Sequence, residues 1–188
     1  MVAITHISDI PREGAGLFLG VDPGKKGALA IVDEDGNIIS KVMKHPTAIE
    51  TYSWLRMAIE KHRVLMAAIE KPFAKSMNKG VFTYLSEYGE LRMALKLANI
   101  PFVEVHPSKW TKKMHKILPQ GREGFKSAKE ASLASARKIW PDECWKATER
   151  SRTPSDGLVD AALIAEWCRR THGSKCTSTN CERYEEVS

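Results

Sequence analysis

Three short apolar runs stand close together near the start of the chain, at 17–21 (Leu-Phe-Leu-Gly-Val), 27–32 (Gly-Ala-Leu-Ala-Ile-Val) and 38–43 (Ile-Ile-Ser-Lys-Val-Met). Asp22-Pro23-Gly24 follows the first run and Asp35-Gly36-Asn37 follows the second. Asp-Gly between apolar runs is a strong hairpin signal, and both connections are too short for a crossover helix. The chain is therefore expected to open as a three-stranded antiparallel meander. Few folds begin this way and then change pattern.

The pattern changes after residue 47. Residues 48–63 carry helical spacing through Ile49, Tyr52, Leu55 and Ile59. Residues 64–69 read as a fourth strand, and Pro72 bars its continuation within a sheet. Residues 80–99 read as a helix with a stripe of Val81, Tyr84, Leu85, Tyr88, Leu91, Leu95 and Ala98. A fifth strand spans 102–105, then a basic stretch, then helices at about 127–139 and from Pro154 to about Thr171. The order β-β-β-α-β-α-β-α-α predicts an α/β fold. Its five-stranded mixed sheet has three antiparallel strands, then parallel ones, with helices on its faces. One domain over 17–172 is expected, with a flexible lead-in at 1–16 and a flexible tail at 173–188.

Composition narrows the class. A hydrophobic share of 43% and a charged share of 28% exclude a disordered or fibrous chain. No apolar run approaches the roughly 18 residues of a membrane helix, so no membrane partner is expected. The four cysteines form no Cys-x-x-Cys pair, which argues against a zinc knuckle or a disulfide scaffold. Residues 1–16 lack an apolar signal core. A reducing, intracellular (cytoplasmic) setting is expected. The formal charge is +6, and residues 106–152 hold 12 Lys/Arg against 5 Asp/Glu, so one segment carries the whole excess. That suits a polyanionic partner, although a solvated basic face has the same composition.

Four carboxylates fall in unusual places. Asp22 and Glu70 each end an apolar strand, Leu-Phe-Leu-Gly-Val-Asp and Leu-Met-Ala-Ala-Ile-Glu. At the rim of a sheet core an unpaired charge is costly, and a shared cation offsets that cost. A strand-end cap or salt bridge is the plainer reading of either residue alone. Asp156 and Asp160 lie four apart in Asp-Gly-Leu-Val-Asp-Ala-Ala-Leu-Ile-Ala, on one helical face. The helix macrodipole accounts for Asp156 but poorly for Asp160, which opens an apolar run. Four converging carboxylates suit Mg²⁺, which takes oxygen ligands. Two such ions can activate water and stabilise a leaving oxygen in phosphodiester cleavage. Mn²⁺ is expected to substitute.

Gly20-Val21-Asp22-Pro23-Gly24, Ala68-Ile69-Glu70-Lys71-Pro72 and Asp156-Gly157-Leu158-Val159-Asp160-Ala161-Ala162-Leu163 resemble the RuvC-type Holliday junction resolvases, of the ribonuclease H-like superfamily. The resemblance spans about 17–171. His106-Pro107-Ser108-Lys109-Trp110 is similar to phage and chloroplast-type members. The resemblance implies a ribonuclease H-like fold and a Mg²⁺-dependent endonuclease that nicks four-way junctions symmetrically as a homodimer. It implies metal-ligand roles for Asp22, Glu70, Asp156 and Asp160. Some members space the helix pair by three residues or carry His at its first position, and many have His where this chain has Ser155. Relatives also place a lysine near the scissile phosphate. Both Lys126 and Lys129 fall there, and the sequence does not choose between them; Lys129 is assigned to the catalytic set and Lys126 to DNA contact.

Lys109, Lys112, Lys113 and Lys116 form a basic cluster suited to phosphate contact, with Trp110 either beside DNA or anchored in the core. Lys75 and Lys79 flank the loop 73–80, which the resemblance turns toward the junction centre. Phe73 in that loop either wedges against bases or closes the core, and core closure is the favoured reading. His106 and His115 are expected to be structural or phosphate-facing. Gly89 inside a helix costs about 1 kcal/mol relative to Ala and would admit a partner helix. Competing readings are a ribonuclease H-fold nuclease acting on RNA–DNA hybrids, flaps or other branched DNA, and a non-catalytic nucleic-acid-binding module. An actin-like ATPase would need two such domains, for which 188 residues are too few.

Overall fold

A computed structural model of the chain describes residues 16–24, 26–43, 47–73 and 79–176. The meander forms as β1 (Gly16–Asp22), β2 (Ala28–Asp33) and β3 (Ile38–Met43). The tight turn between β2 and β3 is fixed by the Asp33 carboxylate, which accepts from the Asn37 backbone N–H at 2.8 Å and from its side-chain amide at 3.0 Å. Then come α1 (Ala48–Lys61), β4 (Arg63–Glu70), α2 (Lys79–Leu97), β5 (Phe102–Val105), α3 (Pro107–His115), α4 (Ala128–Ile139) and α5 (Asp156–Cys176). The sheet order is β3-β2-β1-β4-β5, with β1 antiparallel to β2 and parallel to β4. This is the expected five-stranded mixed sheet. Among the described residues, no helix is long and apolar enough to cross a membrane.

Strand alternation splits the core in two. Phe18, Ala28, Ala30, Val32, Met66 and Ala68 face α5 and its neighbours α3 and α4. Leu17, Leu19, Val21, Ala67 and Ile69 face α1 and α2. α5 lies directly on β1. A Cβ at Gly20 would fall 2.0 Å from the Ala161 carbonyl oxygen and 2.4 Å from the Ala165 nitrogen, so only glycine admits this contact.

Three sequence readings need correction. The basic stretch after β5 is the helix α3. His106 caps it by accepting from the Ser108 N–H, Pro107 occupies its first turn, and Trp110 and Met114 bury its inner face. On α1 and α2, Ile49 and Leu85 are exposed rather than part of the apolar stripe. Finally, α5 runs to Cys176, past the expected end near Thr171, and just beyond that point His172 packs edge-on against Trp167 on the preceding turn. All of the expected lead-in but Gly16, which opens β1, and most of the expected tail lie outside the described residues, as does Lys75.

Candidate active site

Asp22 and Glu70 end adjacent parallel strands. Val21 pairs with Ile69, so the next residue on each strand is a carboxylate, on strands about 4.8 Å apart. Parity puts both on the face that α5 covers, in step with Phe18 and Gly20 on β1 and with Met66 and Ala68 on β4. α5 enters over the β1–β2 turn. Gly157 has no room for a Cβ, which would lie 2.0 Å from the Lys26 carbonyl oxygen. One turn later Ala161 sits on Gly20, and Asp160 precedes it. The close contacts at Gly20 and Gly157 therefore fix Asp160 beside the strand ends.

The electrostatics agree with this convergence. Burial, then the charges of Glu70 and Asp156, push the Asp160 carboxyl up from 3.8 to about 7, against a hydrogen bond from Ser132 and the charge of Lys129. Glu70 is also raised, mainly by burial, while hydrogen bonds from Trp110 and Tyr84 pull it down. Lys129 bonds Asp156 at 2.5 Å, and that bond holds its ammonium above the usual lysine range, with Asp160 and Asp22 adding to the effect. Asp156 stands at the outer edge of the group, about half exposed. Among the described residues, no three Asp, Glu, His or Cys side chains are gathered tightly enough to enclose a metal ion. The donor set itself, four carboxylates and no soft ligand, is one suited to a hard divalent cation.

Three partners of the carboxylates escaped the sequence reading. Trp110, only 2% exposed, donates its indole N–H to Glu70 Oε2 at 2.6 Å. Tyr84, read as part of an apolar stripe, reaches Glu70 and feels Asp22. Ser132 bonds Asp160 and also meets the buried His115 Nε2 at 3.1 Å. Only the polar atoms of Trp and Tyr could have signalled the first two, and periodicity does not report where those atoms point.

The predicted basic residues divide. Lys109 and Lys112 are exposed on α3, Lys116 is exposed as its C-cap, and Lys126 is exposed just before α4. Lys113 is also exposed, but its ammonium donates to the Arg170 carbonyl at 3.2 Å and to Thr171 Oγ1 at 2.8 Å, near the far end of α5. Ten residues of helix separate that point from Asp160, about 15 Å. Phe73 is 58% exposed and packs edge-on against the His106 ring, so it does not close the core. Lys79 begins α2.

No protein-family model and no curated protein matches the chain. Solved structures do. Thermus thermophilus RuvC in complex with a Holliday junction substrate matches at TM-score 0.51 and 19% identity, covering 82% of this chain and 95% of that one. A second Thermus thermophilus RuvC structure matches at the same TM-score and identity, covering 82% and 96%. The yeast mitochondrial Holliday junction resolvase matches at TM-score 0.45 and 17% identity, covering 93% and 88%. At such identities the two RuvC matches bear on architecture alone: this chain has the ribonuclease H-like fold of RuvC.

Proposed function

We propose that the protein is a divalent-metal-dependent endonuclease that resolves four-way DNA junctions by paired nicks. The observation that carries the reading is the placement of the buried Asp160 on α5, within reach of the charges of Glu70, Asp156 and Lys129, beside the strand ends that carry Asp22 and Glu70. Repelling carboxylates at a core rim are a poor structural device and a good cation site. Asp22, Glu70 and Asp160, with Asp156 at the edge, would hold Mg²⁺ or Mn²⁺, in two ions. When bound, such ions supply water activation and stabilisation of the leaving oxygen. The chain's own residues do the rest. Asp156 keeps Lys129 charged at the rim, ready to meet a scissile phosphate. Lys109, Lys112, Lys116 and Lys126 offer phosphate contacts, and Lys79 starts the helix that follows the loop after Glu70.

Two symmetric nicks call for two sites, which a twofold dimer supplies. Support for a dimer comes from α2. Phe82, Leu85, Met93 and Leu97 are exposed along one face at helical spacing, and a Cβ at Gly89 between them would meet open space. The monomer thus gives no reason for a glycine there, whereas close approach of a second α2 does.

The test is cleavage of labelled four-way junction, duplex, flap and RNA–DNA hybrid, with and without Mg²⁺. Metal-dependent nicking of the junction is expected, lost in Glu70→Gln and Asp22→Asn while junction binding survives. Preferential cutting of hybrid would favour the hybrid-nuclease reading. Absence of metal-dependent cutting on every substrate would overturn both.

A further inference from the structure

We infer that Tyr84 and Trp110 are positioning residues that hold the Glu70 carboxylate from the two opposite helical layers. The inference rests on the metal-dependent reading above. Glu70 ends a strand, and its terminal torsion is broad and soft, so the backbone alone does not aim its oxygens. Trp110 belongs to the buried cluster that includes Met114, Leu163 and Ile164 on the α5 side. Its place is set by that packing, so the carboxylate must follow the indole. The indole N–H only donates, and a carboxylate only accepts, so the 2.6 Å contact favours ionised Glu70 over its acid form. Tyr84 approaches the same group from α2, the layer on the other face of the sheet.

Two donors leave roughly half of the four lone-pair sites of a carboxylate open. The arrangement is that of an outer partner orienting a metal ligand, an effect worth about 10–100-fold in metal affinity or activity. A buried tryptophan also needs a partner for its N–H whatever it does, so packing is the rival explanation. The geometry separates the two, because packing requires the ring and orientation requires the N–H and the phenolic O–H.

The experiment uses the full chain with Tyr84→Phe, Trp110→Phe and both together. Mn²⁺ affinity is measured by calorimetry without DNA. Thermal midpoint, junction affinity in Ca²⁺ and cleavage rate against Mn²⁺ concentration accompany it. Each single variant should weaken Mn²⁺ binding by about tenfold or more and raise the Mn²⁺ needed for half-maximal cleavage by the same factor. Rate should recover at high Mn²⁺, with junction affinity within about twofold. Tyr84 is half-buried, so its variant remains informative if Trp110→Phe folds poorly. Variants that bind Mn²⁺ as wild type does, with or without a lowered melting point, would assign both residues to packing and overturn the inference alone. A wild-type protein that neither binds Mn²⁺ nor cleaves would overturn the nuclease reading and the inference with it.

Discussion

Replacing Asp160 by Asn should stabilise the metal-free protein. The folded chain holds the Asp160 proton up to about 7, against 3.8 for the usual carboxyl. Below 3.8 both states are protonated and the residue contributes nothing to the pH dependence. Between the two values the unfolded chain has lost its proton while the folded chain keeps it, so stability falls as pH rises. Above about 7 the penalty is complete. At about 1.4 kcal/mol per pH unit it approaches roughly 4 kcal/mol, with relaxation and water access reducing it to about 2. Asn keeps the shape and removes the charge. A chain of this size gains about 2–4 °C per kcal/mol, so Asp160→Asn should melt about 4–8 °C higher at pH 8 in EDTA. At pH 5 the advantage should shrink to about two-fifths of that. Melting curves at both pH values, with EDTA and then with Mn²⁺, measure this. Added Mn²⁺ should raise the wild-type midpoint and leave the variant's nearly unchanged. A variant that melts at or below wild type at pH 8 in EDTA, or whose advantage ignores pH, would refute the reasoning.

Two further outcomes follow from the placement of side chains. Lys109→Ala, Lys112→Ala and Lys116→Ala should each reduce the log–log salt slope of junction binding by roughly 0.9, whereas Lys113→Ala should leave the slope unchanged and lower the melting point. Filter binding from 50 to 200 mM salt reads the difference, and an equal slope loss at Lys113 would contradict its tie to α5. Light scattering should give about twice the single-chain mass. Leu85→Asp with Met93→Asp should halve that mass, and a wild-type monomer would remove α2 as the contact.

The strands were legible because each is a short apolar run ended by a turn residue or proline, as at Asp22-Pro23-Gly24 and Glu70-Lys71-Pro72. The common face of Asp22 and Glu70 was implicit in strand parity once the parallel pairing of β1 and β4 was assumed. α3 was not legible as a helix. Its apolar residues are few and its lysines many, so its inner edge of Trp110 and Met114 was masked by charge. Tyr84 and Trp110 count as apolar in any periodicity, yet each places a polar atom against Glu70. Which of Lys126 and Lys129 meets the acids depends on the entry of α4. The cap is Ser127, so the first turn of α4 carries Lys129 onto Asp156, while the Lys126 N–H bonds Glu130.

The lid of the candidate site is the last described element to leave the ribosome. Asp22 and Glu70 are on strands complete well before Asp160 is made, and the face of β1 that carries Asp22 stays uncovered until α5 arrives. Until then Phe18, Ala30 and Met66 lack their cover, so a nascent chain halted before Asp156 should be adhesive and in need of a chaperone. Such a chain would also lack two of the four carboxylates proposed to hold the metal. Vectorial synthesis thus leaves the assembly of the acidic cluster to the last step, since the helix that seals the core also delivers the final acids.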